Sequence, residues 1–316
     1  MINKSSKIYI AGHNGLVGSA IKKELEQQNY TNLVVKSHDE LDLTDSSSVQ
    51  AFFKKEKPQY VIIAAAKVGG ILANSKYPVE FMLENLKIQN NIIENAYKSK
   101  VKKLIFLGSS CIYPKNAAQP LKEEYLLTSP LEQTNEAYAL AKICGVKLCE
   151  YYNKEYQMDF ISVMPCNLYG ENDTYDKENA HVIPMLIEKF HNAKTSQSPT
   201  VELWGDGTPL REFLISSELA RGVILLLEQE NNKHLGSIIN IGSGEEITIN
   251  DLAILIKDVV AYKGQITYNT TKPNGTMRKI LDNSKINSLG WKNNISLEEG
   301  IKLAYNDFLK KKGYTK

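Results

Sequence analysis

Two side chains near the middle of the chain have the types and spacing needed for proton transfer. Tyr138 and Lys142 lie four residues apart in the segment EAYALAK, so a helix here would place both side chains on one face. A lysine ammonium beside a phenol favours the phenolate and lowers the phenol pKa from its usual value of about 10. The same spacing is common on helix surfaces, where a packed tyrosine and a solvated lysine do no chemistry.

Hydroxyl and thiol groups that follow a predicted strand strengthen the catalytic interpretation. Ser109 and Cys111 come directly after the apolar run Lys103–Leu107. Ligands of open α/β sheets bind at the carboxyl ends of the strands, so these side chains are expected to meet Tyr138 and Lys142 there. The serine can orient a carbonyl group while the tyrosine protonates the alkoxide that hydride transfer forms. The four side chains predict a carbonyl reductase site.

A glycine-rich loop near the start of the chain indicates a dinucleotide site. Gly12, Gly15 and Gly18 form a GxxGxxG pattern between the first predicted strand and a helical pattern over residues 20–28. They permit a tight turn, close approach of the backbone to a pyrophosphate, and packing of the helix on the sheet. The helix N-terminus then faces the negative charge. The alternative is an ordinary strand-to-helix turn.

The end of the second predicted strand bears on which dinucleotide binds. An acidic residue there would bond the ribose hydroxyl of NAD, whereas this chain has Lys36 and His38. A basic strand end favours the additional phosphate of NADP, which is the predicted cofactor. Asp39 and Asp42 follow closely and keep NAD as an alternative, and the basic pair could also be a merely solvated strand end.

The elements around these residues predict an α/β fold. Apolar runs alternate with amphipathic segments and are too continuous for a solvated face, which favours a doubly wound parallel Rossmann sheet. The predicted strands are residues 7–11, 33–37, 60–64, 103–107 and 160–164. A less regular pattern after Pro165 predicts a smaller α+β lobe. The expected division is an NADP-binding Rossmann domain, 1–168, and a substrate-binding lobe, 169–316, from which late segments could return to the sheet.

Composition excludes several classes of protein. Of 316 residues, 38 are basic and 36 acidic, without a basic block that could neutralise a nucleic acid backbone, so no nucleic acid partner is expected. The first apolar run is too short for a signal sequence or membrane span, so no membrane partner is expected. The four cysteines lack metal or CxxC spacing, which favours a reducing cytoplasm and no metal. Cys144, Cys149 and Cys166 are expected to be small buried residues.

The glycine loop, Ser109 and the Tyr138 and Lys142 pair resemble the extended short-chain dehydrogenase/reductase superfamily. Longer segments are similar to the GDP-L-fucose synthase family, and the similarity spans almost the whole chain. These segments are AAAKVGG (64–70), GSSCIYP (108–114), VMPCNLYG (163–170), HVIP (181–184) and WGDGTPLREF (204–213). The resemblance implies conversion of GDP-4-keto-6-deoxy-D-mannose to GDP-L-fucose, by epimerisation at the two carbons flanking the ketone and reduction of the ketone by NADPH.

The resemblance also implies residue roles. In the family, the residues at the positions of Cys111 and His181 exchange protons at the epimerised carbons. The residues at the positions of Ser109, Tyr138 and Lys142 serve reduction. The implied cofactor contacts are Gly12, Asn14, Gly15, Leu16, Val17, Gly18, Lys36, His38, Leu43, Ala65, Leu107, Lys142, Pro165, Asn167, Leu168 and His181. The implied contacts with the GDP-sugar are Ser109, Asn167, Lys189, Trp204, Arg211, Asn274 and Lys279.

Several of these positions also have a structural alternative. Arg211 and Lys279 suit a diphosphate, although Arg211 could instead be an ion-pair partner. Trp204 could be a core aromatic residue and Lys189 a surface charge. His181, outside its motif, would more often be a satisfied polar residue than a catalyst.

Three positions depart from the family pattern. The family has arginines at the positions of Asn14 and His38, both near the extra phosphate of NADP. A weaker preference for NADPH than in the arginine-bearing family members is therefore expected. An aspartate often stands where this chain has Asn274, which leaves the sugar open. The main alternative is therefore C4 reduction of a GDP-linked keto-deoxy-heptose, with or without epimerisation.

Two further alternatives change the reaction itself. A 4,6-dehydratase would carry an acidic pair where this chain has Ser110 and Cys111. A regulator that only senses dinucleotide would not need Ser109, Tyr138 and Lys142 together.

Two predicted helices indicate a homodimer, because each carries apolar residues on more than one face. They cover residues 79–98 and 140–156. Within the first, Met82, Leu86 and Ile93 form one stripe, and Phe81, Ile88 and Ile92 form another. A second apolar stripe needs a second partner, so these helices are expected to pair across a twofold axis, as they do in the resembling family.

Overall fold

The computed structural model of the chain describes residues 2–175, 180–230, 235–272 and 274–314. The strands are β1 (Ile8–Ala11), β2 (Leu33–Val35), β3 (Tyr60–Ile63), β4 (Lys103–Leu107), β5 (Phe160–Pro165), β6 (Asn167–Tyr169), β7 (Thr200–Trp204), β8 (Leu210–Ile215), β9 (Ile238–Ile241), β10 (Glu246–Thr248), β11 (Gln265–Asn269) and β12 (Arg278–Lys279). The helices are α1 (Leu16–Gln27), α2 (Ser46–Glu56), α3 (Ile71–Lys76), α4 (Pro78–Lys98), α5 (Glu136–Tyr156), α6 (Val182–Thr195), α7 (Ser216–Glu228), α8 (Ile249–Val260), α9 (Ser284–Ser288) and α10 (Leu297–Lys311).

A six-stranded parallel sheet, in the order β2-β1-β3-β4-β5-β9, forms the centre of the molecule. β1, β3, β4 and β5 are buried along their whole length, as expected for a sheet covered on both faces. One group of covering helices is α1 with α7, and another is α4 with α2 and α5. The predicted doubly wound fold is confirmed, and each of the five predicted strands is found with its ends moved by at most two residues.

The second half of the chain builds smaller sheets beside the first. β8 lies between β10, which is antiparallel to it, and β12, which is parallel, and β6 also pairs with β8. β11 pairs with β7. A separate apolar core joins α6, α8 and α10 to these strands. Because β6 begins directly after β5 ends, these sheets stand at the carboxyl edge of the parallel sheet.

The sixth strand of the central sheet comes from the second half of the chain. β9 adds to the outside of β5, with Ser162 opposite Ile238. The division at residue 168 stays a prediction. No helix in the described ranges combines the length and apolarity needed to cross a membrane.

One cysteine prediction is wrong. Cys149 and Cys166 are buried as expected, but Cys144 is exposed. It lies on the outward face of α5, one turn after the exposed Leu140, so the sequence pattern of small apolar residues did not distinguish the two faces.

A fully buried amide ties β9 to the loops at the carboxyl edge of the sheet. The Asn240 side chain accepts a hydrogen bond from the Tyr113 hydroxyl at 2.5 Å. It donates to the carbonyls of Leu121 and Asp282 at 2.9 and 3.2 Å. Its backbone N–H donates to the Glu123 carboxylate at 3.0 Å. The Asn240 side chain thus joins β9 to three separate segments, at Tyr113, Leu121 and Asp282.

We expect Asn240→Leu to destabilise the protein by about 2–4 kcal/mol, because it leaves several buried polar groups without partners. Urea unfolding monitored by circular dichroism measures this change. Asn32→Leu is the control, since Asn32 makes an exposed hydrogen bond to Ser5 and should change stability by less than about 0.5 kcal/mol. Equal effects of the two substitutions would contradict the prediction.

Candidate active site

The glycine loop after β1 makes two very close backbone contacts. Gly12 has φ +83°, and a Cβ there would lie 2.6 Å from the Ala65 nitrogen. A Cβ on Gly18 would lie 2.1 Å from the Gly12 carbonyl oxygen. Larger residues at these positions would push the loop away from β3 or lift α1 from the loop. The sequence assigned the same structural roles to these glycines.

The N-terminus of α1 is open to a ligand. Gly15 precedes the helix without a capping side chain, and no acidic residue stands in the first turn, which contains Leu16 and Val17. A Cβ on Gly15 would meet only the Gly12 carbonyl, at 3.6 Å, so the loop leaves room for a close approach. Unpartnered N–H groups at a helix N-terminus fit a pyrophosphate.

The turn after β2 contains a carboxylate, Glu40, that the sequence analysis overlooked. Lys36 Nζ lies 2.9 Å from Glu40 Oε1, and this ion pair raises the pKa of Lys36. Ser37 also holds Glu40 through its N–H and hydroxyl, at 2.8 and 3.0 Å. His38 and Asn14 are exposed. The lysine predicted to meet the NADP phosphate thus already has an acidic partner.

The other predicted cofactor contacts mostly lie at strand ends on the carboxyl edge. Leu43 is half-buried before α2, and its carbonyl accepts from the Asn91 side chain at 2.9 Å. The remaining residues follow β3, end β4 and β5, or begin β6: Ala65, Leu107, Pro165, Asn167 and Leu168. These positions form one continuous rim with the glycine loop.

Ser109 connects the thiol and the phenol of the predicted site. It lies after β4, and its hydroxyl accepts from the Cys111 backbone N–H at 3.2 Å. The same hydroxyl lowers the pKa of both the Cys111 thiol and the Tyr138 phenol. Tyr138 projects from the first turn of α5, with the edge of its ring toward Phe81 at 6.5 Å.

Lys142 lies one turn further along α5 and is buried. Its Nζ donates to the Leu107 carbonyl at 2.7 Å and lies 5.9 Å from the centre of the Tyr138 ring. Burial lowers the pKa of Lys142 to about 7. Burial also raises the pKa of Tyr138, and the nearby Cys111 raises it further. The lowered phenol pKa expected from the sequence is therefore absent, because burial and Cys111 raise the pKa more than Ser109 lowers it.

The charge beside the Cys111 thiol comes from the far end of the chain. Lys279 Nζ on β12 donates to Cys111 Sγ at 3.4 Å. Burial raises the pKa of the thiol, but Lys279 and hydrogen bonds from Ser109 and Asn135 outweigh it, so the pKa lies below its ordinary value. The sequence analysis placed Lys279 on the substrate and did not connect it with this thiol.

Asn135 is a site residue that the sequence analysis missed. It immediately precedes α5, at the position where an asparagine usually caps the helix, but its side chain makes no capping bond. It lowers the pKa of the Cys111 thiol, and its Oδ1 is buried without a partner among the described residues. Asn135 immediately precedes the EAYALAK segment, but only the fold brings it to the thiol.

His181 begins α6 without capping it. Desolvation lowers the pKa of its imidazole, and the positive charge of Lys279 lowers it further. Lys279 therefore acts on both predicted proton-exchange residues, favouring a thiolate at Cys111 and a neutral ring at His181.

Two predicted substrate residues belong to the same cluster. Arg211 on β8 pairs with Lys279 in the strand register and donates to the Leu210 carbonyl at 2.8 Å. Desolvation lowers the pKa of Arg211, while Cys111 acts in the opposite direction. Asn167 donates to the Glu212 carbonyl at 2.9 Å. Arg211 and Lys279, which lie side by side near the Cys111 thiol, suit a diphosphate.

The remaining predicted substrate residues form a second group around the end of β7. The Trp204 side chain is 55% exposed, with Lys272 Nζ 5.4 Å from its ring centre. Asn274 accepts from the Asp206 backbone N–H at 2.9 Å. Lys189 donates to the carbonyl of Glu202, also on β7. An exposed indole beside amide and ammonium groups can stack on and bond a nucleobase.

Comparison with known proteins places this site in a family. The sequence pattern of the NAD dependent epimerase/dehydratase family matches residues 8–242. GDP-L-fucose synthase 1 of Arabidopsis thaliana is 53% identical, over 98% of this chain and 95% of that protein. GDP-L-fucose synthase of Escherichia coli (strain K12) is 49% identical, over 96% of each chain.

A solved structure is similar over the whole fold. The GDP-mannoheptose C4 reductase from Campylobacter jejuni with NADP bound is 41% identical, with a TM-score of 0.90, over 98% of this chain and 99% of that one. The chain thus belongs to the NAD dependent epimerase/dehydratase family, and within that family it groups with the GDP-L-fucose synthases.

Proposed function

We propose that this protein converts GDP-4-keto-6-deoxy-D-mannose to GDP-L-fucose with NADPH. The observation that carries the proposal is the position of the Ser109 hydroxyl, which accepts from the Cys111 N–H and lowers the pKa of both the Cys111 thiol and the Tyr138 phenol. A ketone oxygen held at that hydroxyl would lie beside a base for the neighbouring carbons and beside an acid for the alkoxide. Epimerisation and reduction then use one substrate position.

The open N-terminus of α1 would hold the cofactor pyrophosphate, with Asn14, Lys36 and His38 toward the extra phosphate. Bound NADPH supplies the hydride for reduction. Lys142, fixed by the Leu107 carbonyl, has further N–H groups to offer the cofactor ribose. The relative from Campylobacter jejuni, which has NADP bound, supports this cofactor.

Cys111 and His181 would exchange the protons. The thiolate that Lys279 favours takes a proton from a carbon beside the ketone and becomes a thiol. The imidazolium form of His181, made more acidic by its lowered pKa, returns a proton from the other side and becomes a neutral ring. The enolate places its charge on oxygen, where the hydroxyls of Ser109 and Tyr138 stabilise it. Tyr138 starts protonated because burial raises its pKa, so it can then give its proton to the alkoxide.

The GDP moiety would lie across the second lobe. Arg211 and Lys279 face the diphosphate, and Trp204 stacks on the base with Lys189 and Asn274 nearby. The charge of Lys279 would then be shared between diphosphate and thiol.

Product analysis tests the proposed reaction. A panel of GDP-4-keto-deoxy-sugars is incubated with enzyme and NADPH or NADH in D₂O, and the products are identified by mass spectrometry and NMR. We expect GDP-L-fucose with deuterium at both epimerised carbons. Reduction without deuterium would leave a simple keto-sugar reductase.

A GDP-linked keto-deoxy-heptose is the second candidate substrate. The similarity to a GDP-mannoheptose C4 reductase favours it, as does Asn274, whose Oδ1 is engaged by the Asp206 N–H. Faster turnover of the heptose than of the 6-deoxy-mannose in the same panel would select this candidate.

We expect Glu40→Gln to raise the preference for NADPH over NADH by about threefold, since exposed charges contribute less than ~1 kcal/mol each. The substitution frees Lys36 and removes a negative charge from the region of the phosphate, while a glutamine can still accept from Ser37. The ratio of kcat/KM for the two cofactors measures the effect. Lys36→Ala should lower that ratio, and an unchanged ratio in both variants would place the phosphate elsewhere.

The assembly we propose is a cytoplasmic homodimer built on α4 and α5. The stripes predicted from the sequence supply its surface only in part, because Phe81, Ile92 and Ile93 are buried within the subunit. The other stripe residues are half-buried: Met82, Leu86 and Ile88. Exposed apolar side chains lie instead at Val79 and Leu83 on α4 and at Leu140 and Tyr151 on α5. The four free cysteines fit a reducing compartment.

Light scattering at micromolar concentration should therefore give twice the mass of one chain. Leu83→Glu combined with Leu140→Glu should give a monomer, because charges on a buried apolar interface are unfavourable. Glutamate substitutions at the exposed Ile254 and Leu303, on α8 and α10, are the matched control. A monomeric unmodified protein would contradict the proposed dimer.

A further inference from the structure

Glu212 is a buried carboxylate that none of the proposed steps uses. It lies on β8 and is fully buried. It accepts from the backbone N–H of Gly244 at 2.7 Å and of Leu281 at 3.0 Å. A Cβ on Gly242 would lie 2.2 Å from its oxygen, so the surrounding backbone is closely fitted to the carboxyl group.

The segment bonded by Glu212 carries Lys279 to the thiol. Leu281 lies two residues after Lys279, and Ile280 between them is held from the other side. The Ile280 N–H donates to the Gln119 side chain at 3.0 Å, and its carbonyl accepts from the Leu121 N–H at 2.8 Å. β12 itself is a two-residue strand, so these bonds contribute much of what fixes the position of Lys279.

We propose that Glu212 is a positioning residue for the proton-exchange step: through the Leu281 N–H it keeps Lys279 against Cys111 and thereby controls the acidity of that thiol. The inference rests on the proposed function only for the use made of the thiol. The contacts from Glu212 to Leu281 and from Lys279 to Cys111 stand independently of it.

The charge of Glu212 and its position have opposite effects on the thiol. The groups that act on Cys111 are Lys279, Ser109, Asn135, Tyr138 and Arg211. A carboxylate near Lys279 would offset the positive charge, so loss of that charge alone would favour the thiolate. Loss of the hydrogen bond to the Leu281 N–H would release Lys279 and thereby disfavour the Cys111 thiolate. The direction of the change therefore identifies the role.

Burial, rather than the hydrogen-bond donors that face it, keeps the charge of Glu212 incomplete near neutral pH. Burial raises the pKa of the Glu212 carboxyl to about 7, against the hydrogen bonds from Gly244, Leu281 and Asn283 that lower it, and Glu246 raises it. Glu212 in turn raises the pKa of the buried Cys166 thiol. A partly protonated Glu212 carboxyl is better suited to hold Lys279 in position than to act on the thiol through its negative charge.

The experiment measures alkylation of Cys111 by iodoacetamide against pH, resolved by peptide mass spectrometry in a Cys144→Ser background that removes the exposed thiol. We expect Glu212→Gln and Glu212→Asp each to slow alkylation at pH 7 by about fivefold, because the thiolate is the reactive form. Glu218→Gln is the control, since Glu218 is also buried and accepts from a backbone N–H, of Asn294 at 2.8 Å, and it should change nothing.

A double-substitution cycle links the effect to Lys279. Lys279→Met should slow alkylation more than either Glu212 variant, and adding Glu212→Gln to it should have no further effect. Unchanged or faster alkylation in the Glu212 variants, or additive effects, would overturn the inference. Gln119→Ala loosens the same segment from its other side and should slow alkylation less, which provides a measurement if Glu212 variants fail to fold.

The outcome also separates this inference from the proposed function. Alkylation does not require turnover. Slower alkylation in Glu212→Gln together with normal deuterium exchange into the substrate would refute the role of Cys111 as the base, while the positioning role of Glu212 would stand.

Discussion

Cys111→Ser is expected to reduce solvent deuterium incorporation at the epimerised carbons by at least about 100-fold, because a serine hydroxyl is not ionised near neutral pH. Lys279 and Asn135 can lower the pKa of a thiol into a useful range but cannot do so for an alcohol. Some direct reduction of the unepimerised ketone should remain, since Tyr138 and Lys142 are unchanged. NMR of substrate and product from D₂O measures both.

The exposed Cys144 provides the matched control, and Cys144→Ser should exchange normally. The unmodified enzyme should lose exchange as the pH falls through the lowered pKa of Cys111, because the thiolate exists only above it. Undiminished exchange in Cys111→Ser would assign the base to another group.

The sheet and the cofactor loop could be predicted because their signals are local. A continuous apolar run such as Ile8–Ala11 identifies a buried strand. The spacing of Gly12 and Gly18 reflects a tight turn in which the backbone at Gly12 contacts Ala65 and Gly18 contacts the Gly12 carbonyl. β9 is also a short apolar run, Ile238–Ile241, but its place beside β5 could not be predicted, because it depends on a connection across more than 70 residues.

The electrostatics of the site could not be predicted in the same way. Lys279 reaches Cys111 from 168 residues away in the sequence, through the register of a two-residue strand. Glu40 was visible in the sequence, yet only the turn after β2 shows that it faces Lys36. Burial, which sets the pKa of Tyr138 and Lys142, likewise depends on the whole fold.

The exposed face of α4 shows the limit of helical periodicity. Apolar residues on two stripes indicated a free face, but a long helix packed between α2 and α5 buries three of the six, Phe81, Ile92 and Ile93, within its own subunit. The face left over contains Val79 and Leu83, which the stripes did not include.

Tyr138→Phe is expected to lower the rate of ketone reduction by about 10²- to 10⁴-fold, the range for loss of a general acid, while deuterium exchange continues. Cys111 and His181 remain, and the Ser109 hydroxyl still supports the enolate oxygen. NADPH consumption and deuterium incorporation, followed in the same sample, measure the two activities. The exposed Tyr151 lies on the same helix, and Tyr151→Phe should retain both.

The separation of the two losses is the informative result. A buried phenol costs desolvation, so its removal should leave the thermal midpoint of unfolding unchanged or higher, and loss of activity then cannot come from unfolding. If exchange and reduction fall together, the Tyr138 hydroxyl is needed to stabilise the enolate as well, and Ser109 alone does not suffice. If neither falls, the proton of the alkoxide comes from another donor. Lys142, whose pKa is about 7, is the group positioned beside the Tyr138 ring.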